Sequence, residues 1–153
     1  MRAFRFRLEK VREHRRRAVD RCSLAVAEAR QRVERLGKMQ VRLSEDLARH
    51  AADMARQRSE ATRSGQYQMG ASWLAHLHQQ AAELTRMMEE AMEAEFMARE
   101  ALAAAWRDLE ALNLLRAKQE AAWRHEQNRR ERILMDEIGL GTVDRTRSAE
   151  NSH

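Results

Sequence analysis

The chain has 153 residues and a mass of 17.9 kDa, with no proline, five glycines, 5% aromatic residues and 35% charged residues. Proline and glycine supply most turns and sheet edges, so this composition favours long uninterrupted helices over a β-sandwich or a Rossmann domain. The mean hydropathy of -0.80 leaves too little apolar material for a thick core, which argues against most ordinary enzyme folds.

The formal net charge of +5 and a pI near 10.3 keep three partner classes open: an acidic protein, an anionic membrane surface and nucleic acid. The single cysteine, Cys22, cannot form an internal disulfide. No stretch reaches the roughly 18 apolar residues of a membrane-spanning helix. The chain opens with arginines alternating with phenylalanines, where a signal peptide would have an apolar core. These features predict a cytoplasmic protein.

Apolar residues recur at steps of three and four from the first residues onward, which predicts a long amphipathic helix over about 3–61. The stripe consists of Phe4, Leu8, Val11, Arg15, Ala18, Cys22, Ala25, Ala29, Arg32, Leu36, Gln40, Leu43, Leu47, His50 and Met54.

A second stripe with the same spacing runs from Leu74 to Leu112, interrupted only by Glu95, and predicts a helix over about 72–138. Residues 62–71 hold two glycines and are predicted to form the turn, with Ser72 as the N-cap of the second helix. Gly139-Leu-Gly141 predicts the end of that helix, and the polar residues 142–153 predict a disordered tail.

These elements predict an all-α fold, a long antiparallel two-helix coiled-coil hairpin formed by residues 1–141. The antiparallel arrangement would bring Phe4, Leu8 and Val11 close to Trp123, with both chain ends at the same end of the hairpin. Many of the residues between the two helices are alanines, which bury little apolar surface. Such a pair of helices gains stability by docking into another protein.

Charge is segregated along the predicted hairpin. The first helix begins strongly basic, and the middle of the second helix is acidic. Single charged residues on such a helix commonly form only a solvated face, so it is the segregation that suggests binding. The basic end carries Arg2, Arg5, Arg7, Lys10, Arg12, Arg15, Arg16, Arg17 and Arg21, and the acidic part carries Glu83, Glu89, Glu90, Glu93, Glu95 and Glu100.

No pattern of catalytic, cofactor-binding or metal-binding residues is found. His76 and His78 are two residues apart and point to different faces of a helix, so they cannot bind one metal as an i, i+4 pair would. There is no nucleophile and base pair, P-loop or dinucleotide motif. The sequence therefore predicts a protein that is not an enzyme and needs no cofactor. Met87, Met88, Met92 and Met97 are predicted to pack or to form an adaptable contact surface.

Both ends of the chain resemble the flagellar export protein FliJ family. The opening Phe4-Arg-Phe-Arg-Leu-Glu-Lys-Val-Arg-Glu-His-Arg-Arg-Arg17 is similar to the segment with which that family begins. The closing Arg129-Arg-Glu-Arg-Ile-Leu-Met-Asp-Glu-Ile138 is similar to its basic stretch followed by an Asp-Glu pair. The resemblance covers nearly the whole chain, although the centre is only generic coiled coil.

The resemblance implies a stalk and chaperone component of the flagellar type III protein export apparatus, and so a role in flagellum biogenesis, motility and chemotaxis. It implies three partners: the hexameric export ATPase, the cytoplasmic domain of the membrane export gate, and export chaperones. The protein would be cytoplasmic and peripherally associated with the inner face of the cell membrane at the flagellar basal body. Neither nucleic-acid binding nor direct membrane insertion is expected.

The resemblance also implies two sets of contact residues. The residues expected to enter the ATPase ring, here called the ring set, are Phe4, Arg5, Phe6, Arg7, Leu8, Arg12, Arg16, Arg129, Arg130, Asp136 and Glu137. The residues expected to contact the export gate, here called the gate set, are Met39, Leu43, His50, Trp73, Leu77 and Leu84.

Two other functions fit the same sequence. One is the equivalent stalk protein of a virulence type III secretion system, which shares the architecture. The other is a basic coiled coil that binds nucleic acid or an anionic membrane, an interaction that would weaken steeply with salt. Only Phe4 and Phe6 lie between the arginines, which argues against binding of single-stranded nucleic acid.

Overall fold

The computed structural model describes residues 2–59 and 64–152, which contain two helices and no strand. Helix α1 spans Glu9–Ser59 and helix α2 spans Ser64–Glu150. The prediction of an all-α fold built from two long helices that pack against each other is confirmed.

Helix α1 begins at Glu9, six residues later than the sequence predicts, after a non-helical segment that includes Phe6. The Glu9 amide donates a hydrogen bond to the Phe6 carbonyl (3.2 Å), and the Arg12 amide donates one to the Leu8 carbonyl (2.9 Å). The Glu9 carboxylate is favourable in the first turn because the amino end of a helix carries a partial positive charge. Residues 60 and 61, the predicted end of this helix, lie outside the described residues.

Helix α2 begins at Ser64, so most of the predicted turn at 62–71 is helical and Ser72 lies inside the helix instead of capping it. The remaining turn residues, 62 and 63, lie outside the described residues. The prediction of a turn was wrong at Gly70, which lies within the helix. A glycine costs an α-helix only about 1 kcal/mol, and Gly70 packs against the Met54 side chain, whose Cγ lies 3.6 Å from where a Cβ would stand.

At its other end α2 continues through Gly139 and Gly141 to Glu150, where the sequence suggested a C-cap and a disordered tail. Side-chain hydroxyls in this part bond back to helix carbonyls: Thr142 Oγ1 to Gly139 O (2.8 Å) and Ser148 Oγ to Asp144 O (2.9 Å). No proline follows to end the helix. All residues from 128 to 152 are exposed, so tertiary packing does not hold this stretch.

The chain divides into two compact units. The terminal unit comprises Met1–Arg16 and Arg107–His153, and the middle unit comprises Arg17–Trp106. In the middle unit Arg30 pairs with Glu95 (3.5 Å) and His50 with Trp73 (2.9 Å). Later residues of α1 therefore meet earlier residues of α2, and the two segments run antiparallel within this unit.

The core of the middle unit is thin. Leu36, Leu84 and Ala91 form its buried cluster, and partly buried hydrophobic residues pack around it: Val33, Leu43, Met87 and Met88. Val19 and Val26 are also buried.

The register of α1 differs from the predicted stripe by one residue over part of its length. Ala25 and Arg32 are exposed, whereas their neighbours Val26 and Val33 face α2. Since a valine buries more apolar surface than alanine or arginine, the helix turns its valines inward. Glu95, which interrupts the second stripe, has a mostly buried side chain that pairs with Arg30 and Arg99.

Candidate partner-binding surfaces

The terminal unit holds the non-helical opening segment against α2 by aromatic packing. The Phe4 and Trp123 rings lie 6.1 Å apart between centroids and are tilted by 52°. Phe6 is buried, with 8% of its surface exposed. The predicted proximity of Phe4 and Trp123 is confirmed. Phe4 and Phe6, both in the ring set, therefore anchor the segment more than they offer surface to a partner.

A polar network continues this packing along α1. Arg12 Nε donates a hydrogen bond to Asn113 Oδ1 (2.7 Å), and Arg12 Nη1 pairs with Glu9 Oε1 (2.6 Å). The other Glu9 oxygen lies 3.5 Å from Arg116 Nε. Arg12, a member of the ring set, is thus engaged inside the unit. Sequence reasoning missed Asn113 and Arg116, although polar residues so close to the second stripe were a signal of cross-helix pairing.

Three other arginines of the ring set, two in the opening segment and one in α1, form no ion pair with the described residues. Arg5, Arg7 and Arg16 are exposed, and none of them forms an ion pair with any residue that the structure describes. Leu8 is just exposed beside them. These three arginines carry unpaired positive charge of the ring set on the terminal unit.

The members of the ring set on α2 are exposed, and its two arginines there bond to a carboxylate of the same helix. Arg129 Nε and Arg130 Nε both donate to Glu126, at 3.2 Å and 3.1 Å. The hydrogen bond from Arg130, followed by that from Arg129, lowers the pKa of the Glu126 carboxyl below its ordinary value. Asp136 and Glu137 are exposed. Within the described ranges, no hydrogen bond or ion pair joins these four residues to residues 4–16.

In the middle unit, a groove of about 460 Å³ brings together three members of the gate set, Met39, Leu43 and Leu84. Charged side chains lie on its rim, among them Arg42 and Asp46. Leu84 is buried at the floor with 6% of its surface exposed. Leu77, another member of the gate set, is buried as well, so it packs the helices together and presents almost no surface to a partner.

The remaining two members of the gate set contact each other. Trp73 Nε1 donates a hydrogen bond to His50 Nε2 (2.9 Å), with the rings nearly perpendicular and 6.0 Å apart. The His76 ring lies 5.5 Å from Trp73 on the same helix. Trp73 is 48% exposed and borders a second, open cavity of about 660 Å³. The sequence pattern of His76 bore only on metal binding, and no sequence signal indicated the hydrogen bond between Trp73 on α2 and His50 on α1.

The described residues offer neither a metal site nor a membrane-spanning helix. Within residues 2–59 and 64–152, no group of three or more His, Cys, Asp or Glu side chains could hold a metal ion. In the same part of the chain, neither helix has a stretch apolar enough to cross a bilayer.

Comparison with known proteins identifies the family. The family model of the flagellar FliJ protein matches residues 4–148, nearly the whole chain. Searches of curated proteins and of solved structures give no match. The matched region includes the aromatic anchor, the free arginines, the groove and the exposed end of α2. The chain therefore belongs to the flagellar FliJ protein family, whose members are components of the flagellar export apparatus.

Proposed function

We propose that the chain couples the export ATPase to the export gate, and that it binds the ATPase ring through its terminal unit. The observation that carries the proposal is the set of free, exposed arginines Arg5, Arg7 and Arg16. A guanidinium group forms paired hydrogen bonds with a carboxylate, and clustered positive charge speeds the encounter with an acidic surface. These side chains are available to a partner because no described residue neutralises them.

The aromatic anchor supports this role. A binding segment that is already ordered loses less conformational entropy on docking than a flexible one. The packing of Phe4 on Trp123 and the burial of Phe6 fix the opening segment, and the Arg12 bond to Asn113 fixes the start of α1 against α2, before any partner arrives. In this proposal they are positioning residues, and the free arginines make the contacts.

The middle unit supplies the proposed gate contact. Exposed Met39 and Trp73 can insert into a partner, while the groove beside Met39 can accept an apolar side chain. Large aromatic side chains and methionines are enriched at the centres of protein interfaces. Binding to the gate would hold the protein at the inner face of the membrane. Export chaperones are a further partner class, inferred from the family.

The proposed mechanism needs no chemistry from this chain. A ligand shifts a conformational equilibrium only by the difference in its affinity for the two states. Docking of the terminal unit would therefore raise ATPase activity only if the active ring conformation binds the arginines more tightly than the inactive one.

The ATPase contact is tested by charge reversal. The variant Arg5→Glu/Arg7→Glu/Arg16→Glu should fail to stimulate the purified export ATPase of the same bacterium. The matched control reverses two exposed arginines of the middle unit, Arg32→Glu/Arg35→Glu, and should stimulate normally. Normal stimulation by Arg5→Glu/Arg7→Glu/Arg16→Glu would reject the assignment of the ring contact to the terminal unit.

The gate contact is tested separately. Met39→Ala/Trp73→Ala should weaken binding to the cytoplasmic domain of the gate by about tenfold or more, the loss typical of removing two anchor side chains. Stimulation of the ATPase should be unchanged. Undiminished gate binding, measured by titration calorimetry, would reject the proposed surface.

A further inference from the structure

One flank of α2 in the middle unit carries an exposed row of large apolar side chains. Met92, Phe96 and Trp106 are 57%, 60% and 51% exposed. Steps of three and four residues connect them through Arg99 and Ala103, which places all of them on one face of the helix. The row extends about 21 Å along the helix axis at 1.5 Å per residue.

This row does not serve the packing of α1 against α2. That seam is supplied by other residues of the same helix, such as Leu84 and Ala91, which are buried. Single exposed hydrophobic residues are common on protein surfaces, but three large ones aligned on one helix face mark an interaction site. Phe96 and Trp106 are also the types of side chain that contribute most to binding when they are covered.

Unpaired carboxylates border one side of the row. Glu89 precedes Met92 by three residues, and Glu93 and Glu100 lie three residues before and four after Phe96, so each is a surface neighbour of an apolar side chain. All three are exposed, and none forms an ion pair with any residue in the described part of the chain. Other glutamates of this stretch are paired within the helix, as Glu83 is with Arg86.

We propose that this acidic aromatic face, defined by Met92, Phe96 and Trp106 with the glutamates along one side of them, binds an amphipathic helix of a partner protein with lysine or arginine beside its apolar stripe. A helix lying along the row would cover the three apolar side chains and bring its basic residues to the free carboxylates. The face shares no residue with the ring set or the gate set, so the inference stands independently of the proposed function.

The charge of the face decides against other occupants. Arg99, which lies within the row, is paired with Glu95, so the unpaired charge beside the row is that of the three carboxylates, which would repel the phosphate groups of nucleic acid or anionic lipid. A symmetric dimer with the two helices antiparallel would place the glutamates of both copies along the same side of the interface, and like charges across an interface oppose association. A basic helix meets neither penalty.

The test uses the full-length chain and two synthetic fluorescent peptides that share one leucine stripe. One peptide has lysine on both flanks, and the other has glutamate. Fluorescence anisotropy should show the lysine peptide binding at least tenfold more tightly than the glutamate peptide. Phe96→Ala/Trp106→Ala should weaken binding of the lysine peptide by about tenfold or more, and Val41→Ala, a change of an equally exposed residue on α1, should leave it unchanged.

A charge variant separates the electrostatic part from the apolar part. Glu93→Gln/Glu100→Gln should bring the affinities of the two peptides together. Equal binding of both peptides by the unaltered chain would overturn the proposal, as would binding that Phe96→Ala/Trp106→Ala leaves intact. Sedimentation tests whether a second copy of the chain occupies this face. If the unaltered chain self-associates and Phe96→Ala/Trp106→Ala abolishes the association, the face binds a second copy and the proposal of a partner helix is refuted. All substituted residues are exposed, and unchanged helical circular dichroism verifies folding.

Discussion

The substitution Gly37→Ala tests the packing of the middle unit directly. Gly37 lies in the interior of α1 and faces α2, where a Cβ would stand 3.6 Å from the Met88 side chain. That distance is an ordinary van der Waals contact, so a methyl group fits without displacing either helix. The backbone there is helical, with no conformation that a side chain would strain.

The expected effect is an increase in the free energy of unfolding. Alanine is more favourable than glycine in a helix interior by roughly 0.5 to 1 kcal/mol, and the new contact with Met88 adds a little apolar burial. For a chain of this size, about 1 kcal/mol raises the melting temperature by about 2 to 4 °C.

Urea unfolding followed by circular dichroism at 222 nm measures the change. The midpoint should rise while the slope stays constant, because the surface exposed on unfolding is nearly the same. Gly139→Ala is the matched control. Nothing lies within 4 Å of that position in the exposed part of α2, so this substitution changes helix propensity without adding a contact between helices. A lowered midpoint for Gly37→Ala would show that the helices approach more closely than the Met88 distance indicates, and would refute the packing described.

Other predictions concern the terminal unit, a surface carboxylate and the core. Phe4→Ala should cost about 1 kcal/mol through loss of the aromatic pair and should shift the fluorescence of Trp123 to longer wavelength. Arg130 stabilises ionised Glu126 and lowers its pKa, so this contribution to stability is present above pH 4.5 and is lost as the pH falls through the lowered pKa. Carboxyl NMR should show a Glu126 midpoint below 4.5 that Arg130→Gln raises. Leu84→Ala should cost about 2 kcal/mol, the low end for a buried leucine because this core is thin, and an unchanged urea midpoint would contradict its burial.

The helical fold was predictable because every local signal agrees. The absence of proline and two apolar stripes at coiled-coil spacing leave no alternative to long helices. The ends of α2 were not predictable in the same way. A glycine signals a break only where the helix has no compensating contacts, and Gly70 has such a contact in Met54. At Gly139 and Gly141 each glycine costs the helix only about 1 kcal/mol. The residues that follow remain helical, and the hydroxyls of Thr142 and Ser148 bond to carbonyls of the same helix.

The candidate surfaces were predictable in part. The basic character of residues 2–17 can be read from their arginines, but the engagement of Arg12 depends on Asn113, a hundred residues away along the chain. The spacing of leucines does not indicate which of them remain exposed to a partner, and Leu77 of the gate set is buried. Exposure of Phe96 depends on which face α2 turns toward α1, and a register error of one residue would have hidden it.

Hydrogen exchange of the full chain with and without the assembled export ATPase tests the central claim most directly. The free chain should exchange rapidly in its exposed stretch from 128 to 152, because nothing packs against this part of α2. Binding of the ATPase should slow exchange in residues 2–16 and in the stretch around Arg129 and Arg130, and should leave residues 89–106 unchanged. Protection confined to the middle unit would contradict the account.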